Sequence, residues 1–166
     1  LIHRLLQLLP DIAPAERAAG AQALLAREAD LIDAQRSDMT AAALSVLEDA
    51  RFAEVFGPGS RAEVAVAGTA TALPEGLRIS GRIDRLVVLP ERVLVVDFKT
   101  NRPSPDRIED ADPAYLRQMA LYAAVLSDIF PGRRIEAAIV WTDGPKLMPV
   151  PENLWVQTLA DLRRDG

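Results

Sequence analysis

The sequence predicts an α/β protein in which a mixed β-sheet carries helices on its faces. Three observations lead there. The first third of the chain is rich in Ala and Leu at helical spacing. The middle switches to β-branched runs with period-two alternation, and one long helical stretch then separates the third strand from a fourth. Strands interrupted by a helix of that kind are what a layered sheet with a crossover connection requires.

Residues 2–9 (IHRLLQLL) form an amphipathic pattern closed by Pro10, whose ring cannot continue a helix. Residues 14–29 and 37–51 repeat the helical spacing, with Ser37 placed to cap the second of them. Phe52–Ser60, with its Gly-Pro-Gly-Ser, reads as a turn. Strands follow at 62–68, 77–89 and 93–99, then a loop rich in Pro and Asp at 101–113. A helix at 114–129, a strand at 134–142, a turn at Asp143–Gly144, a short strand at 147–150 and a helix near 152–164 complete the order. A single domain over 1–166 is expected: N-terminal helices to residue 60, a sheet core at 61–150, and a C-terminal helix at 151–166.

The 166 residues are 49% hydrophobic and 26% charged, which excludes a disordered or collagen-like chain. No cysteine is present, so disulfides, zinc–thiolate sites, iron–sulfur clusters and cysteine nucleophiles are excluded. No apolar run approaches the length of a membrane span and no signal-peptide pattern opens the chain, so a cytoplasmic protein without a membrane partner is expected. The start at Leu1 and the charged end lead us to expect a piece of a longer chain. The net charge of −5 argues against coating nucleic acid by bulk basicity. Between Arg78 and Arg107, however, seven basic residues face four acidic ones, a basic strip on an acidic body. Lysine is rare here, two against 17 arginines.

The chemistry concentrates in residues 81–100, GRIDRLVVLPERVLVVDFKT. Two β-rich runs flank Leu89–Arg92, and a hairpin that sets Val88 opposite Val93 brings Asp84 opposite Asp97 and Arg82 opposite Lys99. Alternation then places Asp84, Asp97 and Lys99 on one face. Opposed like charges repel at such spacing, so the two carboxylates need a cation between them. Lys99 can supply one, and a divalent metal does it better. Oxygen ligands suit Mg²⁺, with Mn²⁺ as an alternative, more than zinc. Carboxylates, such a metal and a lysine together suit metal-assisted phosphodiester hydrolysis. The competing reading is a surface hairpin with one Asp–Lys ion pair and an unrelated Asp84.

The same residues resemble the PD-(D/E)XK nucleases, and within them the RecB-like group. The resemblance lies in Gly81–Arg85 (G-x-x-D-R), Asp97–Thr100 (D-x-K-T) and Gln118–Tyr122 (Q-x-x-x-Y), in that group's order. Ile2-His3-Arg4-Leu5-Leu6 matches the context of its helix-borne histidine, and His3 is the chain's only histidine. The texture is most similar to AddA-type nuclease domains of bacterial helicase–nucleases, and the missing cysteines set it apart from the cluster-bearing AddB and Cas4 relatives. The resemblance implies a restriction-endonuclease-like fold and an Mg²⁺-dependent DNA exonuclease working in double-strand-break repair and recombination. It implies that His3, Asp84, Asp97 and the Phe98 carbonyl ligate the metal. Lys99 is then the catalytic lysine, with Gln118 and Tyr122 positioning lysine, water or phosphate from one helix face. It also implies a helicase domain in the same parent chain, since no G-x-x-x-x-G-K-[ST] occurs here, and an AddB-like partner subunit.

Other residues are read more openly. Arg82, Arg85, Arg102 and Arg107 lie on or after the motif strands and are candidates for DNA-backbone contacts. Tyr115 is a candidate base-stacking platform, whereas Trp141 and Trp155 read as core. Glu63 reads either as a further carboxylate of the site or as an exposed strand residue. Two rival functions remain: a non-catalytic scaffold or DNA-docking module, and an Mg²⁺-dependent phosphoesterase acting on RNA or a nucleotide.

Overall fold

The structure, a computed structural model, describes residues 1–165; the expected helix end at Gly166 lies outside them. Helices α1 (Ile2–Leu8), α2 (Arg17–Leu25) and α3 (Asp33–Leu47) precede strands β1 (Ser60–Gly68), β2 (Ile79–Val88) and β3 (Arg92–Lys99). Helix α4 (Pro113–Ile129), strands β4 (Arg134–Trp141) and β5 (Lys146–Val150) and helix α5 (Glu152–Asp165) follow. The order matches the sequence pattern, with two local differences. Helix α3 begins at Asp33, upstream of Ser37, because the Gln35 side chain accepts the Ile32 backbone N–H at 3.1 Å and caps the earlier turn. The expected turn at Phe52–Ser60 begins instead as a 3-10 helix over Ala50–Phe56, which buries Phe52 and Val55.

One five-stranded sheet is ordered β1-β2-β3-β4-β5. Neighbours are antiparallel except β3 and β4, which run parallel across the α4 crossover. The mixed α/β architecture expected from the sequence is therefore present. Central strand β3 is buried on both faces, as strands between two helical layers are. Val93 and Val95 pack under α4 with Met119, Ala120 and Ala123. Leu94, Val96 and Phe98 pack on the other face with Leu5, Leu6 and Leu9. Three leucines at 1%, 0% and 0% exposure hold the N-terminal segment to the sheet, each worth about 1.5–3 kcal/mol of burial.

The sheet opens where β2 passes Asp84. The β2–β3 ladder follows the expected register, Val88 opposite Val93, and stops at Arg85 opposite Val96. The β1–β2 ladder skips one position, between Ala62–Arg85 and Val64–Ile83, and there Glu63 adopts φ +54°. Ile83 and Leu86, three residues apart, both join the α4-side core, so simple alternation fails between them. The expected pairing of Asp84 with Asp97, and of Arg82 with Lys99, is thus replaced by a fork. Among the described residues, no helix is long and apolar enough to cross a membrane.

Candidate active site at the fork between the second and third strands

Asp84 uses the fork. Its carboxylate accepts the Phe98 backbone N–H at 2.8 Å, filling the place where the ladder would have continued. His3, carried by α1, approaches from the opposite layer. Its Nε2 lies 2.7 Å from the Phe98 carbonyl and 3.5 Å from Asp84 Oδ2. A carbonyl only accepts, so Nε2 carries the proton in this arrangement.

Asp97 and Lys99 emerge from β3 on the α4 side. The Lys99 ammonium lies 2.6 Å from Asp97 Oδ2, off the direction of a hydrogen bond, and that buried oxygen accepts no directed bond. The same ammonium sits 4.1 Å from the centroid of the Tyr115 ring and 3.5 Å from Gln118 Oε1. Tyr122 donates its hydroxyl proton to the Arg82 carbonyl at 3.2 Å and accepts from Gln118 Nε2 at 3.3 Å. The Gln118 amide is thereby oriented with its oxygen toward lysine. Gly81 admits the Tyr122 ring: a Cβ there would lie 3.0 Å from Tyr122 Cε1 and closer still to the hydroxyl. At the end of β3, Thr142 donates its backbone N–H to the Lys99 carbonyl at 3.0 Å.

Burial and a nearby negative charge both raise the proton affinity of a carboxylate. Burial pushes the Asp84 carboxyl up to about 6, against the Phe98 N–H that lowers it; the charges of Asp97 and Glu63 add to the rise, and His3 opposes it. Among the described residues no three His, Asp or Glu side chains converge as a closed metal cage. The donors nevertheless fit a hard cation. Two neighbouring ligands of octahedral Mg²⁺ are about 3 Å apart, which the His3–Phe98 and His3–Asp84 spacings of 2.7 and 3.5 Å bracket. A carboxylate raised by desolvation and a second whose ion-paired oxygen accepts no directed bond supply the negative charge, and the His3 imidazole, with its proton on Nδ1, would supply the nitrogen.

The fork therefore gathers His3, Asp84, Phe98, Asp97, Lys99, Gln118 and Tyr122. The remaining candidates divide. Arg82, whose side chain is 64% exposed, pairs loosely with Glu63 at 3.7 Å, and Arg102 is exposed. Arg107 is exposed too, and pairs with Asp110. Arg85 is a correction: at 5% exposure it donates to the Leu6 and Gln7 carbonyls and presents nothing to a phosphate. Its position two residues before buried Val87, on one strand face, was the available signal. Tyr115 offers one face to the ammonium and tilts toward Trp141 at 6.1 Å, so it holds Lys99 in place of serving as a free platform. Trp141 and Trp155 are core, as expected.

Glu63 belongs beside the site. A non-glycine residue at positive φ is strained, such strain clusters at functional sites, and its charge is felt at Asp84. Arg117 went unnoticed in the sequence. It lines a groove of about 470 Å³ with Ser80, Pro113, Gln118 and Tyr122. A second hollow of about 330 Å³ lies at the opposite ends of β3 and β4, and its rim arginines Arg92 and Arg134 are paired with Glu136.

Comparison with known proteins bears on the fold and the family. No curated protein sequence matches the chain. Among solved structures, a candidate exonuclease from Eubacterium rectale superposes with a TM-score of 0.60 at 14% identity, covering 96% of this chain and 64% of that one. The present chain thus spans less than two thirds of that structure, and the likeness establishes the restriction-endonuclease-like fold alone. A second structure, SSO0001, aligns at a TM-score of 0.38 and 17% identity over 97% of this chain and 73% of that one, too low to carry an argument. The sequence matches the PD-(D/E)XK nuclease superfamily over residues 1–156. The chain belongs to the PD-(D/E)XK nuclease superfamily.

Proposed function

We propose that this chain is a divalent-metal-dependent deoxyribonuclease, an exonuclease module that hydrolyses phosphodiester bonds in strands delivered by a helicase. The observation that carries the reading is the fork itself. The Asp97–Lys99 ion pair stands near enough for the Asp97 charge to act on desolvated Asp84, where β2 and β3 part, with His3 beside Asp84.

His3, Asp84, Asp97 and the Phe98 carbonyl would hold Mg²⁺ or Mn²⁺. The chemistry such an ion supplies when bound is polarisation of a phosphoryl oxygen and acidification of a water. The other tasks fall to the chain's own residues. Lys99, held by Asp97, the Tyr115 ring and Gln118, orients the attacking water and meets charge developing on the phosphate. A lysine suits that place because its ammonium is a compact point charge. Tyr122 and Gln118 keep the ammonium aimed by anchoring it to the Arg82 carbonyl. Arg82, Arg102 and Arg117 are open to solvent or groove and steer the phosphate backbone without reading sequence.

Exposed Arg82 and Arg102, on the motif strand and just after Lys99, favour a polyanion at this place on a chain of net negative charge. A helicase domain in the parent chain and an AddB-like partner subunit, in double-strand-break repair and recombination, complete the proposed setting. Cleavage of labelled single-stranded DNA and RNA in Mg²⁺, with and without chelator, tests the reading. Chelator-sensitive cutting of DNA supports it. Preferred cutting of RNA moves the assignment to the phosphoesterase alternative, and cutting that survives chelation contradicts it.

A further inference from the structure

Arg85 stands out as a buried guanidinium that the chemistry above does not use. Its surroundings join both sides of the fork. One Nη donates to the carbonyls of Leu6 and Gln7 at 3.0 and 3.2 Å, and the other reaches Ser60 Oγ at 3.3 Å. The guanidinium lies 5.2 Å from the Phe56 ring centroid. That ring stacks on Phe98 at 6.0 Å with planes 4° apart. Phe98 is the residue whose carbonyl meets His3 and whose N–H meets Asp84.

Helix α1 depends on such help. Its last turn carries no basic residue of its own to meet the carbonyls that a helix end leaves unpaired. Burial of Leu5, Leu6 and Leu9 presses it to the sheet, but apolar burial is non-directional and does not fix a helix along its axis. The carbonyls that Arg85 engages are among those a helix end leaves unsatisfied, and the rigid guanidinium fork meets them in a fixed geometry. The strand that carries Asp84 thus also holds, one residue later, the helix that carries His3.

We propose that Arg85 is a positioning residue for His3, fixing α1 along its axis so that the imidazole stays beside Asp84 and the Phe98 carbonyl. The inference rests on the metal-site reading above. Its reach is specific: loss of Arg85 acts on the metal through His3 and not through Asp97 or Lys99.

The test reads the Mn²⁺ affinity of the metal-free chain by calorimetry in every variant, and follows the imidazole NMR signals of His3, the only histidine, in the variants that keep it. Wild type, H3A, R85K, R85M and the H3A/R85K double variant are compared, with circular dichroism reporting the fold. R85M removes both charge and fork and is the variant more prone to misfold; R85K keeps the charge and the core contacts. R85K is expected to weaken Mn²⁺ affinity about 10- to 100-fold, as loss of a residue that orients a metal ligand does. The double variant is expected to bind no more weakly than H3A alone, since both changes act on one ligand. A folded R85K with wild-type affinity overturns the proposal, and so do losses that add in the double variant. If wild type itself binds no Mn²⁺, the metal-site reading fails. The imidazole signal of the metal-free proteins then decides: one displaced in R85K supports the positioning role, and one unchanged overturns it.

Discussion

Asp84 accepts the Phe98 backbone N–H at 2.8 Å across the gap where β2 and β3 part. A side chain thus stands in for a ladder carbonyl, and the strand end is free to open around it. The substitution has a cost that pH reveals. Burial holds the Asp84 carboxyl up at about 6 against an ordinary 3.8. Between those values the native chain keeps a proton that the unfolded chain has released, so stability falls as pH rises through that window. Thermal melts of the metal-free chain across the window should show the decline, and Asp84→Asn should flatten it. An unchanged slope in that variant contradicts the assignment.

Buried Asp97 and partly exposed Lys99 form the ion pair at the centre of the site. Lys99→Ala should lower hydrolysis of a labelled single strand by about 10²–10³-fold, the scale for removing one preorganised electrostatic group. Asp97→Ala should abolish hydrolysis, with circular dichroism spectra close to wild type for both. Wild-type activity in folded Lys99→Ala, or measurable hydrolysis by folded Asp97→Ala, sinks the proposed chemistry.

Tyr115 holds the lysine by its ring face, 4.1 Å from the ammonium, and donates its hydroxyl to Asn101 at 3.1 Å. A partly desolvated cation–π contact is worth about 1–2 kcal/mol. Tyr115→Leu should therefore slow turnover roughly 5- to 30-fold, while Tyr115→Phe, which keeps the ring, should stay near wild type. Equal losses in the two would assign the effect to the hydroxyl.

Gly81 is required by the close approach of Tyr122. Gly81→Ala should displace the ring, weaken the Tyr122 bond to the Arg82 carbonyl and destabilise the fold by about 1–3 kcal/mol. Urea melts and turnover measured together check this. Wild-type values in both would show that the ring accommodates the methyl group without loss.

Much of this was legible in the residues. Runs of β-branched residues around Leu89–Arg92 gave the hairpin and its register, which β2 and β3 follow. The four-residue spacing of Gln118 and Tyr122 placed them on one face of α4, where they do meet. What alternation missed is the fork, because one strained residue, Glu63 at φ +54°, lies opposite Asp84 and interrupts the ladder. No local pattern announces such a break. The burial of Arg85 is illegible for a related reason: arginine is rarely buried, and the carbonyls that compensate it belong to a helix 79 residues earlier. Tyr115 reads as a stacking platform because nothing local in the sequence shows that Lys99 packs against its face.

The central claim is that the fork holds a divalent cation, and calorimetric titration of Mg²⁺ into wild type and Asp84→Ala tests it most directly. The account predicts binding by wild type that is lost in the variant. Binding that is unchanged in Asp84→Ala, or absent from the folded wild-type chain, would contradict it.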